Sequence, residues 1–184
     1  MKYYANINSH NELTDIDMSI LTIDEYGSAD VQNIEVSEKV YLNREQYIYK
    51  NGKVVKDPDY DAKQLVKAKE NKYTEALHKA NEYLSGVACY QFDDNNSIEA
   101  TDGNIGKFTA YALALQSGLS ETVTWTTKED NVITLELNDV ITILTGLGAV
   151  QAAVWNVKFI TYKALIEEAD TIEEVNNIII NYEE

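Results

Sequence analysis

Cysteine, proline and positive charge are what this sequence has least of. Its single cysteine, Cys89, has no partner for an intrachain disulfide, and it stands in an apolar run, Val87-Ala-Cys-Tyr90, where it reads as a small buried hydrophobe. One proline and eight glycines in 184 residues argue against long flexible linkers and low-complexity tails. Lysine and arginine number 15 against 31 acidic residues, for a net charge of −16. That sign disfavours nucleic acid, whose binding requires cations to displace counterions, and it disfavours docking on anionic lipid. The N-terminal Met1-Lys-Tyr-Tyr-Ala-Asn-Ile-Asn8 lacks the apolar core of a signal peptide. No apolar run is expected to reach the roughly 18 residues that cross a bilayer. A soluble protein made in the cytoplasm is the expectation.

Metal and catalytic signatures are also scarce. His10 and His78 stand alone, without Cys or His at ligand spacing. The turn Asp93-Asp-Asn-Asn-Ser97 spaces its oxygens like a calcium loop, but Ile98 and Asn104 occupy the glycine and glutamate positions that an EF-hand needs. There is no glycine-rich phosphate loop and no nucleophile elbow, and nothing selects a pair of carboxylates for acid–base work. The expectation is a chain that is not an enzyme, with no metal and no cofactor.

What is present is a regular alternation of short strands and helices, which predicts an α+β fold. Residues 1–58 read as a small β-rich N-terminal module. Alternation predicts a strand at residues 3–8, a turn at Ser9-His-Asn11, a weaker strand pattern through Leu13, Ile16, Met18 and Ile20, and a short strand at Ile34-Glu-Val36. Ser37 is placed to cap a brief helix containing Val40, Tyr41 and Leu42. Asn51-Gly52 between Tyr47-Ile-Tyr-Lys50 and Lys53-Val-Val55 is a two-residue hairpin signal. Asp57-Pro58 marks the boundary to a second domain, residues 59–184.

That second domain reads as helix, hairpin, helix, hairpin, long helix, short helix. The first helix, from about residue 60 to 84, carries an apolar stripe including Leu65, Tyr73 and Leu77, and ends at Ser85-Gly86. A hairpin comes next, with strands at residues 87–92 and 97–100, and Thr101 or Asp102 caps the helix after it. The second hairpin is Val123-Thr-Trp-Thr-Thr127, Lys128-Glu-Asp-Asn131, Val132-Ile-Thr-Leu135. Hairpins and helices are expected to pack as layers. The long helix is expected over residues 139–168. Between Asp139 and Lys158 it has no charge, and its apolar residues cover most of the circumference. Such a helix is buried on most sides, either in its own chain or against a partner. Gly146 and Gly148 allow a bend or the close approach of another backbone. Leu65, Tyr73, Leu77, Trp125, Leu144, Leu147, Val154 and Trp155 are the candidate core or interface residues. The two tryptophans are weighed towards core or interface over stacking on a sugar.

The Trp–Thr strand, the strand Asn131-Val-Ile-Thr-Leu135, the long helix and its ending Ala169-Asp-Thr-Ile-Glu-Glu-Val175 together resemble a bacteriophage and prophage domain of unknown function, commonly encoded near tail-fibre genes. The resemblance covers about residues 60–182, and the leading module is similar to those of phage tail accessory proteins. One departure is Glu136, where Thr or Ser is expected, which leaves Asn138 as a later cap. The family brings no chemistry and no site residues. It implies a non-enzymatic structural protein of the virion tail, at the tail tip, baseplate or fibre attachment, contacting other tail or fibre proteins; self-association through residues 62–84 and 139–168 is a separate expectation, from the apolar faces of those helices. A fibre-assembly chaperone absent from the virion, and a soluble effector that binds a host protein or glycan, are the alternatives.

Overall fold

The computed structural model describes residues 2–8, 12–17 and 32–183. The turn expected at Ser9-His-Asn11, together with His10, Met18 and Ile20, lies outside them. The fold is mixed α+β, in two compact units, residues 1–64 and 65–184.

In the first unit, β1 (Tyr3–Ile7) pairs antiparallel with both β2 (Leu13–Asp17) and β3 (Gln32–Val36), so β1 is the central strand. Its inward residues Ala5 and Ile7, with Ile16, form a small core. Ser37 accepts from the Val40 N–H and starts α1 (Glu38–Leu42), whose Tyr41 stacks on Tyr3 with centroids 4.5 Å apart. The Asn-Gly hairpin joins β4 (Tyr47–Lys50) to β5 (Lys53–Lys56). Asn51 and Gly52 both have positive φ, 53° and 78°, the two-residue turn whose twist matches the strands. Asp57 accepts from the Asp59 N–H and binds the Lys63 ammonium at 2.7 Å, which holds its carboxyl below the usual range and fixes the first turn of α2 (Tyr60–Glu82).

In the second unit α2 buries Ala76 and Ala80, then widens into a π turn (Tyr83–Val87) that buries Leu84. The helix therefore runs past the stop expected at Ser85-Gly86. Leu77 and Tyr73 lie at its edge, more exposed than the expected stripe requires. The hairpin β6 (Cys89–Asp93) and β7 (Asn96–Glu99) leads to α3 (Asp102–Gln116), capped by Thr101 and ended by Gly118 at φ 75°. The second hairpin is β8 (Val123–Thr126) and β9 (Val132–Leu135). The two hairpins are separate two-stranded sheets. Each packs its apolar side on helices, around a core containing Ile98, Phe108, Leu135, Val140, Ile143 and Leu147. Trp125 is half-buried on Phe108 (4.6 Å), with the Lys107 ammonium 5.5 Å from its ring.

The long helix comprises α4 (Leu137–Ala152), a π turn (Ala153–Phe159) and α5 (Ile160–Glu168). The closing helix is α6 (Ile172–Asn177), with Thr171 and Glu174 forming its capping box. The start of α4 corrects the reading of Glu136. That residue is itself the cap position, and its N–H donates to the Asp139 carboxylate at 2.9 Å, so the helix begins ahead of Asn138. The expectation about bilayer length is also corrected. The 32 residues Leu137–Glu168 are long and apolar enough to cross a membrane by length and composition.

Candidate interaction surface

The inward residues of the long helix are Val140, Ile143, Leu147, Val154 and Ile166, all buried. The opposite side is left open by the chain itself, so of the two expected covers, the helix's own chain or a partner, its own chain supplies only the inner one. At 3.6 residues per turn throughout, Ile141 and Val157 would stand about 160° apart, which is why the sequence reads as apolar all round. The π turn takes up an extra residue, and each residue added rotates the rest of the helix back by about 100°. Val154, seven residues after Leu147, faces inward without it; the rotation brings Ile166 to the same inner side, and Val157 and Ile160 to the outer side with Ile141.

The outer side carries no charge from Asn138 to Ala164. Ile141, Val157 and Ile160 are 48%, 60% and 55% exposed. Between them Gly148, Ala149 and Ala153 form a low centre, all exposed. The threonines do not make this side polar. Thr142, Thr145 and Thr161 donate their hydroxyls to the carbonyls of Asn138, Ile141 and Val157, at 2.8, 2.8 and 2.7 Å, so these donors are already spent on the helix backbone. Gln151 is turned to the side, donating to the Ala100 carbonyl and the Asp102 carboxylate.

The C-terminal segment extends this surface. It runs extended past α2 and α5, with Ile180 and Tyr182 buried. Its carbonyls are held from both sides. Lys79 donates to Ile180 (3.2 Å), Lys158 to Tyr182 (2.8 Å) and the Tyr162 hydroxyl to Asn181 (2.6 Å). Burial, with Tyr162 beside it, pushes the Tyr182 hydroxyl up to about 12, and that hydroxyl donates to the Ala76 carbonyl. Pinned on both sides, the segment leaves Ile179 outward and 84% exposed. Ile179, Val157 and Thr161 line an open groove of about 660 Å³.

Of the candidate residues, Leu147 and Val154 belong to the core, with Leu144, Trp125 and Trp155 partly buried against it. Tyr73 meets Phe159 edge-on at 5.4 Å, Leu65 is half-buried, and Leu77 is partly exposed. The residues that reasoning from sequence missed are the outer ones, above all Val157, Ile160 and Ile179. The absence of charge was visible in the sequence, but the π turn that aligns these residues was not.

The polar clusters are occupied in holding the fold together. The Glu129 carboxylate accepts from the Ser97 N–H (2.8 Å) and, at short range, from the Ser97 hydroxyl, which lowers it to about 2. Asn131 donates to the Asn95 carbonyl and the Asn96 side chain, so these contacts tie one hairpin tip to the other. Asp93, in the calcium-like turn, accepts from the Asn95 N–H and the Asn96 amide, and is lowered chiefly by Asn96. Exposed His78 pairs with Glu82 at 3.1 Å. Cys89 is half-buried beside the Lys128 ammonium, at 3.2 Å. No family model, curated protein or solved structure matches the chain.

Proposed function

We propose that this chain is a non-enzymatic structural protein of a bacteriophage or prophage tail, at the tail tip, baseplate or fibre attachment, and that it works by protein–protein contact through the outer face of the long helix. It is made in the host cytoplasm and carried on the virion tail. The observation behind this reading is an uncharged, apolar surface, about 40 Å along residues Asn138 to Ala164 of the long helix, on a chain of net charge −16. Contiguous apolar surface on that scale marks interaction sites. The order of elements, with its Trp–Thr hairpin and Thr-capped closing helix, supplies the resemblance to the tail-associated domain.

Mass spectrometry of particles purified from the encoding strain tests the assignment. Stoichiometric peptides of this chain support a tail component. Their absence from intact particles refutes it and favours the assembly chaperone, and recovery of a host protein without any tail protein favours the effector.

A further inference from the structure

We propose that the partner of this face is a second copy of the chain, docked antiparallel about a two-fold axis that passes between Ala152 and Ala153. The inference rests on the reading of the face as an interaction surface and specifies what covers it.

Charge selects the occupant. Two copies of a chain with net charge −16 repel each other over most approaches. A basic partner would bind best where the carboxylates are. The outer face of the long helix offers neither repulsion nor a counter-charge, so it matches a surface equally free of charge, and its own copy presents one. The Thr145 and Thr161 hydroxyls are bonded within the helix, so exposed Asn156 is the side chain of this stretch whose amide must be satisfied when water is expelled.

Shape selects the direction. A two-fold axis between Ala152 and Ala153 sets Gly148 opposite the partner copy's Val157, Thr145 opposite Ile160, and Ile141 opposite Ala164. Each pairing puts a larger side chain over a smaller one, so two helices held at one separation stay in contact along their whole length. Parallel docking instead stacks Val157 on Val157 and Ile160 on Ile160 at one end, while Gly148 faces Gly148 across a gap. Antiparallel docking also opposes the two helix dipoles favourably.

Area supports the pairing. A third of the circumference over the 27 residues Asn138 to Ala164 is roughly 500–600 Å² of accessible surface. Two such faces bury about 1,000–1,200 Å², the size of weak, reversible interfaces. The expected complex is a reversible dimer. It is populated at tens of micromolar, on the order of the dissociation constant such a contact supports.

The test uses the full chain carrying Cys89→Ser, with circular dichroism to establish that each variant is folded. Sedimentation is expected to show a dimer at tens of micromolar, an order-of-magnitude choice. Under mild oxidation Ala153→Cys chains cross-link to each other. Thr145→Cys chains do not, because antiparallel copies hold those positions about 22 Å apart, far beyond disulfide reach. Mixing Thr145→Cys with Ile160→Cys restores the cross-link. Val157→Glu, at an exposed position, raises the dissociation constant about 100-fold or more by burying a charge against Gly148. A monomer at these concentrations overturns the pairing. So does efficient self-cross-linking of Thr145→Cys, which signals a parallel dimer, and so does a dimer indifferent to Val157→Glu, which signals another surface. Flotation with neutral phosphatidylcholine vesicles, lost in Val157→Glu, also overturns it in favour of lipid. Particle mass spectrometry is independent of all these results, so the tail assignment and the pairing stand or fall separately.

Discussion

Adding one methyl group at Gly146 tests how α4 lies on the first hairpin of the second unit. A Cβ built at Gly146 meets the Tyr90 ring at 2.2 Å from Cδ2 and Cε2, whereas one built at Gly148 meets nothing within 4 Å. Ordinary carbon contacts sit at about 3.5–4.0 Å, so Gly146→Ala forces the ring or the helix to move by more than about 1 Å. Tyr90 is half-buried and held in β6 opposite Ile98, which limits its retreat. Overpacking of this kind costs about 2–3 kcal/mol, and the gain in helix propensity returns about 1 kcal/mol, for a net loss of about 1–2 kcal/mol. Gly148→Ala meets no such obstacle and gains about 0.5–1 kcal/mol. Two chemically identical substitutions, two residues apart, are thus expected to differ by about 1.5–3 kcal/mol, with opposite signs. Urea unfolding followed by tryptophan fluorescence reads this unit alone, because Trp125 and Trp155 are the only tryptophans. The measurement belongs in dilute solution, below the range where copies associate. Combining Gly146→Ala with Tyr90→Ala should remove most of the penalty, as a double-mutant cycle requires of groups in contact. Equal stability of Gly146→Ala and Gly148→Ala would refute the placement of α4 against Tyr90.

Three further outcomes are expected. Glu129→Gln destabilises the hairpin junction at neutral pH. The folded Glu129 carboxyl is lowered from its ordinary 4.5 to about 2, so its contribution is full above pH 4.5 and is lost as pH falls towards 2. Acid titration of stability in wild type and variant should therefore converge across that window. Tyr182→Ala costs about 3–5 kcal/mol, the scale for emptying a buried aromatic site, and denaturant unfolding measures it. The Tyr182 hydroxyl is raised from 10.0 to about 12, so its contribution is full below pH 10 and fades as pH rises towards 12; Tyr182→Phe should lack that alkaline loss. Phe108→Ala, at a fully buried position against Trp125, costs about 3–5 kcal/mol and shifts tryptophan emission to the red, as fluorescence of the folded variant will show.

Local signals in the sequence carried much of the fold because they act over a few residues. Ser37, Thr101 and Thr171 each satisfy a free helix N–H, and each marks a helix start correctly. Asn51-Gly52 forms its hairpin because both residues tolerate positive φ. Glu136 misled because a carboxylate three residues on, Asp139, completes the cap there without any Ser or Thr. The path of the C-terminal segment was not legible either. Lys79, Lys158 and Tyr162 hold its carbonyls from helices remote in sequence, and no local pattern announces such contacts.

By itself, the sequence determined that residues 140–157 form an uncharged apolar helix and that the rest of the chain is acidic. Composition is a property of the chain, and no packing alters it. Which residues of that helix face inward was decided only in the tertiary structure. The π turn at Ala153–Phe159 rotates the second half of the helix so that Ile166 meets the core on the same side as Val154, and the same rotation aligns Val157 and Ile160 with Ile141 on the outside. A fixed 3.6-residue period spreads these residues around the axis. Packing against the core gathers them onto two opposite faces, and only then does an apolar helix acquire a surface able to meet a partner.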